Sequence, residues 1–503
     1  MFDLYIGFAG VGLLLVAILL GAPIMVAMTG VAFAGLTVLS GFMPAISVLG
    51  TLYYSVASSF HFSAIPMFLL MGYFSMQAGI GDDLFDACTK WFGRLPGGLA
   101  IATTGAAAAF GGPAGSSVGT AVLFTKLALP EMVARGYHRG FAAASIAIAG
   151  TLAVLIPPSA LMVVYGILTN SSIGKLLIGG IIPGIVFALI LGIAILIVAI
   201  VDPKKAPRDD RRYSWNERFW SLRMIGPLIV VIVVMMGGLY AGVFTPTEAG
   251  AVGAVLTFVM ALIRQKSWRR LELGKTLLET VSLTAMIFAI IIGGLLFARF
   301  LALSGVSGAI QGVLVDGGMN QWTVLGLVTL IYLVLGMLMD APSLLAISLP
   351  ITHPVMMQLG FDPVWFGVYV IVLCEIGAVT PPVGINCFVV KGAAGGLVTI
   401  EEIFKALWPF MIACAVMLGL MVLIPDSGGL GGRFFPGSGK AASPFFIEAK
   451  AMTDEKLFYQ RSGSGPLLLL LHPVGLDGNF WGDLPERLSQ THTVIAVDSR
   501  GHG

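Results

Sequence analysis

Apolar residues run along this chain in blocks of about 20, the length a helix needs to cross a bilayer. Such blocks sit near residues 3–21, 23–41, 62–79, 139–170, 173–201, 224–243, 246–264, 276–304, 361–395 and 405–424, roughly ten crossings. Three pieces between them, around 44–60, 82–94 and 306–318, are amphipathic and are expected at the membrane surface. Segments 97–134 and 321–359 are apolar but built differently. Each has one apolar arm, a break rich in Gly, Pro, Ser or Asp, and a second arm. An arm of about 14 helical residues covers about 21 Å, enough to reach mid-membrane and return. Both segments read as re-entrant helical hairpins.

The pattern occurs twice. An offset of 224 lays Leu129–Ser159 over His353–Val383, placing Pro130 on Pro354, Gly136 on Gly360, Tyr137 on Phe361 and Pro157-Pro158 on Pro381-Pro382. A hairpin precedes each copy and a further span follows it, so the repeats cover about 97–201 and about 320–425. Pro pairs inside a span remove backbone donors and free carbonyls that lipid cannot satisfy. Such breaks are tolerated where they face protein, water or an ion, which favours a transport site over a duplication kept for packing. The expected fold is an all-α polytopic membrane protein, with inverted repeats that each hold a re-entrant hairpin and a broken transmembrane helix.

Composition sharpens the picture. The chain is 57% hydrophobic and 11% charged, against about 25% charged in soluble domains. Residues 1–425 hold 39 of the 54 charged residues, so the membrane part ends there and the remainder reads as water-soluble. The formal net charge of +2 implies no nucleic-acid partner. The N-terminal stretch lacks a basic n-region and a small-residue cleavage site, and reads as a first spanning helix. Lys and Arg cluster at 202–223 and at 264–275, two helices apart, so both loops face the cytoplasm. The same count puts Arg94, Arg135, Arg139, Lys391 and Lys405 inside and the N-terminus outside, which makes the two copies inverted. The four cysteines lie in apolar surroundings without metal-ligand spacing and read as packing residues.

Four interruptions would converge: Gly111–Ser117, Ile156–Ser159, Met339–Ser343 and Thr380–Gly384. They supply hydroxyls, backbone carbonyls and helix ends, which suit a hard cation such as Na⁺ and an organic anion. The candidate Na⁺ ligands are Gly112, Gly115, Ser116, Ser117, Pro157, Asp340, Thr380, Pro381 and Gly384. The candidate substrate contacts are Ser117, Ser159, Asp340, Ser343 and Asn386. One Na⁺ is expected between each tip and its partner break, with the anion between the two ions. Asp340 has two readings, a cap on the second hairpin arm and an ion or substrate ligand. Glu375 and Arg299 fall inside spans and each has two readings, a functional role and, the more favoured, snorkelling or local pairing; Lys126 and Glu131 are read as interfacial. Gly115-Ser116-Ser117-Val118-Gly119 matches the serine-hydrolase pattern, but a nucleophile elbow needs a strand–turn–helix and this sits on an apolar hairpin.

At FGGPAGSSVGTA, GYHRGFAAASIAIAGTLAVLIPPS, LGFDPVWFGV and EIGAVTPPVG, residues 1–425 resemble the large membrane subunit of a TRAP (tripartite ATP-independent periplasmic) transporter. The resemblance implies a multi-pass protein of the bacterial inner membrane and no enzymatic activity. It implies Na⁺-coupled import of an organic anion, such as a C4-dicarboxylate or sialic acid, by an elevator mechanism. Two partners are implied as well: a small four-helix membrane subunit and a periplasmic substrate-binding protein. The tip GGPAGSS departs from the more Ser-rich tip that the family leads one to expect.

Residues 426–451 form a Gly-rich linker and 452–503 a segment of different character. Leu467–Leu471 and Thr493–Val497 read as strands and Leu484–Ser489 as a short helix. This short α/β fragment resembles the opening of an α/β-hydrolase, with His472-Pro473-Val474-Gly475 at the oxyanion-loop position and Asp498–Gly503 at the next turn. No nucleophile elbow follows, and Met452 reads as an independent start, so a fusion with a truncated neighbouring frame is expected. The rival reading is a membrane-tethered hydrolase subunit completed by another chain.

Overall fold

The computed structural model describes residues 2–209, 211–266, 271–423, 459–462, 467–471 and 493–497. They fall in two units, Met1–Ala441 and Ala442–Gly503. The first unit is helical. Among the described residues, six helices are long and apolar enough to cross a membrane, and eight if each bent pair counts as one span. The remaining expected crossings are shorter apolar helices: breaks divide 139–170 and 361–395, and 23–41 is the continuous 17-residue helix Ile24–Ser40.

Both hairpins form where the apolar pattern puts them. The first has arms Gly98–Ala114 and Ser117–Ala134. Its outbound arm ends on Gly115 at φ +60, a conformation glycine adopts without the Cβ penalty. Its return arm starts on Ser116, whose hydroxyl accepts the Gly119 N–H at 3.2 Å. The second hairpin has arms Gln321–Gly336 and Ala341–Gln358. Each is followed by a broken helix: Arg139–Thr151 then Ala160–Thr169, and Pro363–Val379 then Ile385–Ala393. A closing helix completes each copy, Ile181–Val201 in the first and the bent pair Ile400–Ala406 and Trp408–Leu423 in the second. Both breaks contain a cis Pro-Pro bond.

The junction between hairpin and broken helix is built identically in the two copies. The Gly136 N–H donates to the Val133 carbonyl and the Tyr137 N–H to the Met132 carbonyl, both at 3.0 Å. The Gly360 N–H donates to Met357 at 3.0 Å and the Phe361 N–H to Met356 at 3.1 Å. Gly136 and Gly360 take φ +81 and +86, the glycine-centred helix stop that needs no Cβ.

Three boundaries differ from the sequence reading. Residues 44–60, expected on the surface, form Phe42–Ser58, which joins Phe60–Gln77 at a 56° bend; together the two are long and apolar enough for a broken span or a re-entrant loop. The span expected at 224–243 begins earlier, at Trp215, because Ser214 and Glu217 close a capping box. Segment 306–318 is a short helix, Val306–Gln311, continued by a π turn, Gly312–Asp316.

The remaining helices frame the repeats. Leu273–Leu303 packs on Ile24–Ser40 and on the return arm of the second hairpin, and Ala64–Gln77 packs on Pro246–Gln265 and on the first hairpin. A Cβ added to Gly294 would stand 2.8 Å from the Ala346 Cβ, so small residues let the framing helix and the second hairpin touch closely.

In the second unit, three strands are described: β1 (Tyr459–Ser462), β2 (Leu467–Leu471) and β3 (Thr493–Val497), in the order β1-β3-β2. β2 and β3 are the two expected strands, and they pair in parallel; β1, antiparallel to β3, was not expected. The helix expected at 484–489 and the hydrolase-like turns at 472–475 and 498–503 lie outside the described residues.

Candidate functional site

The first tip meets the first break. A Cβ on Gly112 would stand 2.7 Å from the Pro157 carbonyl oxygen, and one on Gly111 2.1 Å from the Ala153 Cα. Glycine is therefore required for the hairpin backbone to reach the break. Gly115 lies against Ala160, the first residue beyond it. Pro157, Pro158 and Ser159 are buried, and Ser159 caps the following helix by accepting the Met162 N–H at 3.4 Å.

Tip and break are close in the second copy too. A Cβ on Gly377 would stand 2.8 Å from the Gly336 Cα, so the outbound arm and the broken helix touch backbone to backbone. Asp340 caps the return arm: its carboxylate accepts the Ser343 hydroxyl at 2.7 Å and the Ser343 N–H at 3.4 Å. The capping reading of Asp340 is thus realised. At the break, the Thr380 hydroxyl donates to the Ile376 carbonyl at 2.6 Å, and Gly384 takes φ +57 to start the next helix. That helix has no side-chain cap, unlike those beginning after Ser116, Ser159 and Asp340.

The copies also cross. Ser117, on the first tip, neighbours the Glu375 carboxylate on the second broken helix. Glu375 is 1% exposed, and its Oε2 has no hydrogen-bond partner among the described residues. Asn386, 1% exposed, has neither side-chain atom satisfied, and the Thr120 hydroxyl is likewise buried and unpaired. Asn386 and Thr120 sit on helices that pack together, Ile385–Ala393 and Ser117–Ala134. Unpaired buried polar groups cost about 1–3 kcal/mol each, more when charged, so this seam is arranged for something other than stability.

Of the two sequence readings of Glu375, functional or snorkelling, burial removes the second: the side chain is 1% exposed and enclosed by protein. The signal available was its place within a span, seven residues before Pro382. Arg299 is exposed near the end of Leu273–Leu303 and Lys126 is exposed on the return arm, in keeping with peripheral roles. Arg135 pairs with Glu131 and with Asp209, tying the base of the first hairpin to the basic loop. Cys374, Cys387 and Cys414 are buried, and the Cys387 thiol donates to the Val379 carbonyl at 3.5 Å.

Tips, prolyl breaks and buried polar seam occupy the stretch of chain that matches the family described as "Tripartite ATP-independent periplasmic transporter, DctM component", over residues 11–427. The chain belongs to that family. It is a large permease subunit, a multi-pass protein of the bacterial inner membrane, and not an enzyme. It is 38% identical over 362 residues to the C4-dicarboxylate TRAP transporter large permease protein DctM of Pseudomonas aeruginosa, covering 72% of this chain and 84% of that one. To the sialic acid TRAP transporter large permease protein SiaM of Vibrio cholerae it is 29% identical over 426 residues, covering 83% and 94%. Among solved structures, the YdaH transporter of Alcanivorax borkumensis matches with a TM-score of 0.54 at 13% identity, over 78% of this permease and 90% of that chain. That likeness is one of fold. The family match ends at residue 427, so it lends no support to the hydrolase resemblance of the tail.

Proposed function

We propose that this permease imports an organic carboxylate in symport with Na⁺, taking it from a periplasmic binding protein and working with a small four-helix membrane subunit. The observation that carries the reading is the buried seam in which Ser117 of one repeat faces Glu375 of the other, beside the unsatisfied Asn386 and Thr120. A buried carboxylate with an open oxygen calls for a cation, and a buried amide with two open ends calls for a polar ligand. Gly112, Gly115, Ser116, Ser117 and Pro157 would offer oxygens to one Na⁺; Asp340, Thr380, Pro381 and Gly384 would serve a second. Ser117, Ser159, Asp340, Ser343 and Asn386 would meet the substrate. The uncapped helix start at Gly384 favours an anion, because its first N–H groups lack a side-chain acceptor.

Relatives named for C4-dicarboxylate and for sialic acid, both carboxylates, support that substrate class, while another is named for isethionate, an anion without a carboxylate. An elevator motion of the repeats against the framing helices fits the small-residue contact between Gly294 and Ala346, which has no interlocking side chains. The test is uptake of labelled succinate and sialic acid into proteoliposomes holding this subunit, the small subunit and the binding protein. Uptake that requires both an inward Na⁺ gradient and the binding protein is expected. Uptake indifferent to Na⁺, or to the binding protein, would overturn the reading.

A further inference from the structure

Away from the breaks, the closing helices of the two copies pack side by side, Ile181–Val201 against Trp408–Leu423. Between them runs a groove of about 330 Å³ whose lining is wholly apolar, including Ile190, Ile193, Ile412 and Val416. Ile193, Ile197 and Ile412 are 56%, 55% and 63% exposed, so the groove opens outward from the helix pair. At Ile197, Val198 and Pro409 it runs into a second cavity of about 590 Å³. That cavity carries His138, Asp202, Lys205, Glu402 and Lys405. The adjoining cavities are together a channel that is apolar along the spanning helices and lined by charged residues at one end.

The charges do not cancel in the same way. Asp202 pairs with Lys205 at 3.3 Å, and Glu402 is closed into a capping box by the Thr399 N–H at 2.9 Å. Lys405 sits in the field of Glu401 on its own helix but forms no ion pair with Asp202, Glu402 or any other carboxylate among the described residues. The His138 main chain is fixed by donating to the Lys205 carbonyl at 3.0 Å, which leaves its imidazole at the cavity wall. One lysine without a direct ion pair and one imidazole thus stand where the apolar groove ends, beside the carboxylates of Asp202 and Glu402. The distribution of Lys and Arg along the chain puts 202–223 and Lys405 on the cytoplasmic side, and folding brings Lys205 and Lys405 into a single cavity there.

We propose that this channel is the seat of one phosphatidylglycerol molecule from the cytoplasmic leaflet. Its phosphodiester lies at Lys405 and His138, and an acyl chain lies in the groove between the two closing helices. Lys405, the lysine of this cavity with no ion pair among the described residues, suits a phosphodiester oxygen, and the groove fits a hydrocarbon chain; a free anion would leave the apolar half unused. The seat spans the line where the two repeats meet, with the Phe141–Phe410 ring stack, 5.6 Å between centroids, forming its inner wall. This proposal stands apart from the transport reading.

The full chain is delipidated in detergent and titrated with phosphatidylglycerol, phosphatidylethanolamine and inorganic phosphate, following bound lipid by native mass spectrometry. One retained phosphatidylglycerol is expected, with affinity falling ten-fold or more in Lys405→Glu and in Ile412→Trp, and unchanged in Lys391→Glu, whose side chain does not line the cavity. Gel filtration checks folding, and Lys405→Gln replaces any variant that aggregates. Equal binding of phosphatidylethanolamine, retention unaffected by either variant, or binding of phosphate alone would overturn the proposal. In membranes, photoreactive phosphatidylglycerol is expected to label peptides 190–201 and 409–416. Crosslinking of an Ile412→Cys variant to another polypeptide, in place of that label, would assign the groove to a protein helix and equally overturn it.

Discussion

In the first repeat the prolyl break is sealed: Pro157, Pro158 and Ser159 are buried, and the Gly112 backbone lies on the Pro157 carbonyl. In the second, Pro382 is exposed and Thr380, Pro381 and Val383 are half-buried. The backbone devices are nevertheless the same. The offset of 224 carries Ser116 onto Asp340 and Gly119 onto Ser343, and each pair makes the same N-cap contact. Side chains have diverged where backbone has not. Ser159 corresponds to Val383, Thr151 to Glu375 and Met162 to Asn386. At the position equivalent to Glu375 the first copy is satisfied locally, the Thr151 hydroxyl donating to the Ile148 carbonyl at 2.7 Å, and its unpaired buried hydroxyl is that of Thr120 on the hairpin. The second copy places an unsatisfied carboxylate and amide against the first tip. A duplicated frame therefore carries an unduplicated site.

The sharpest way to break this comparison is at Glu375. Replacing it with Gln keeps the shape and removes the charge, and uptake in proteoliposomes is expected to fall by roughly ten-fold or more, the scale of a lost charge-assisted contact. Thr151→Ala, at the equivalent position, is expected to leave uptake within about two-fold, since only a local helix bond of about 1 kcal/mol is lost. Equal losses at both positions would mean that the copies share the site evenly.

Differences in exposure come next. On a background with the native cysteines replaced, Val383→Cys is expected to react with a water-soluble maleimide roughly ten-fold or more faster than Ser159→Cys, because thiol reactivity follows access. Equal rates would remove the asymmetry between sealed and open breaks. Rates that exchange order on adding Na⁺ and substrate would sharpen it into two alternating states.

Asp340 separates capping from charge. Serine and aspartate cap helices about equally well, so Asp340→Ser is expected to change stability by no more than ~0.5 kcal/mol, whereas Asp340→Ala should cost about 1 kcal/mol. If Asp340→Ser raises the Na⁺ concentration needed for half-maximal uptake, the carboxylate has a role beyond the cap. If only Asp340→Ala disturbs uptake, the cap is its whole contribution.

Much of this arrangement is legible in the sequence, for a local reason. Hairpin arms, tips and breaks are set by runs of apolar residues and by Gly, Pro and Ser, whose effects reach only a few residues. Asp340 as a cap is readable from Asp-Ala-Pro-Ser, and the early start at Trp215 from Ser214-Trp-Asn-Glu217. Ser116 over Asp340 follows from the same offset that aligns the prolines. Glu375 against Ser117 is different: those residues lie 258 positions apart, and their contact depends on how one copy packs on the other. No local pattern carries that information. Segment 44–60 is similar: Phe42–Ser58 reads as amphipathic alone, and only with its bent neighbour does it reach the length and hydropathy of a span or re-entrant loop.

The smallest expected effect probes what the copies share. Gly136 and Gly360 both stop a return arm in the left-handed region, and both leave open space where a Cβ would stand, apart from the Pro207 ring 3.9 Å away in the first copy. Alanine at either therefore meets no steric block beyond the backbone penalty, about 1–2 kcal/mol for an L-residue in that conformation. Gly136→Ala and Gly360→Ala are expected to lower thermal stability by the same amount to within ~0.5 kcal/mol, and to do so additively, because the two turns share no partners. Unequal costs would show that one junction bends during transport and the other does not. In that case the asymmetry seen at the breaks would extend into the hinges that carry them.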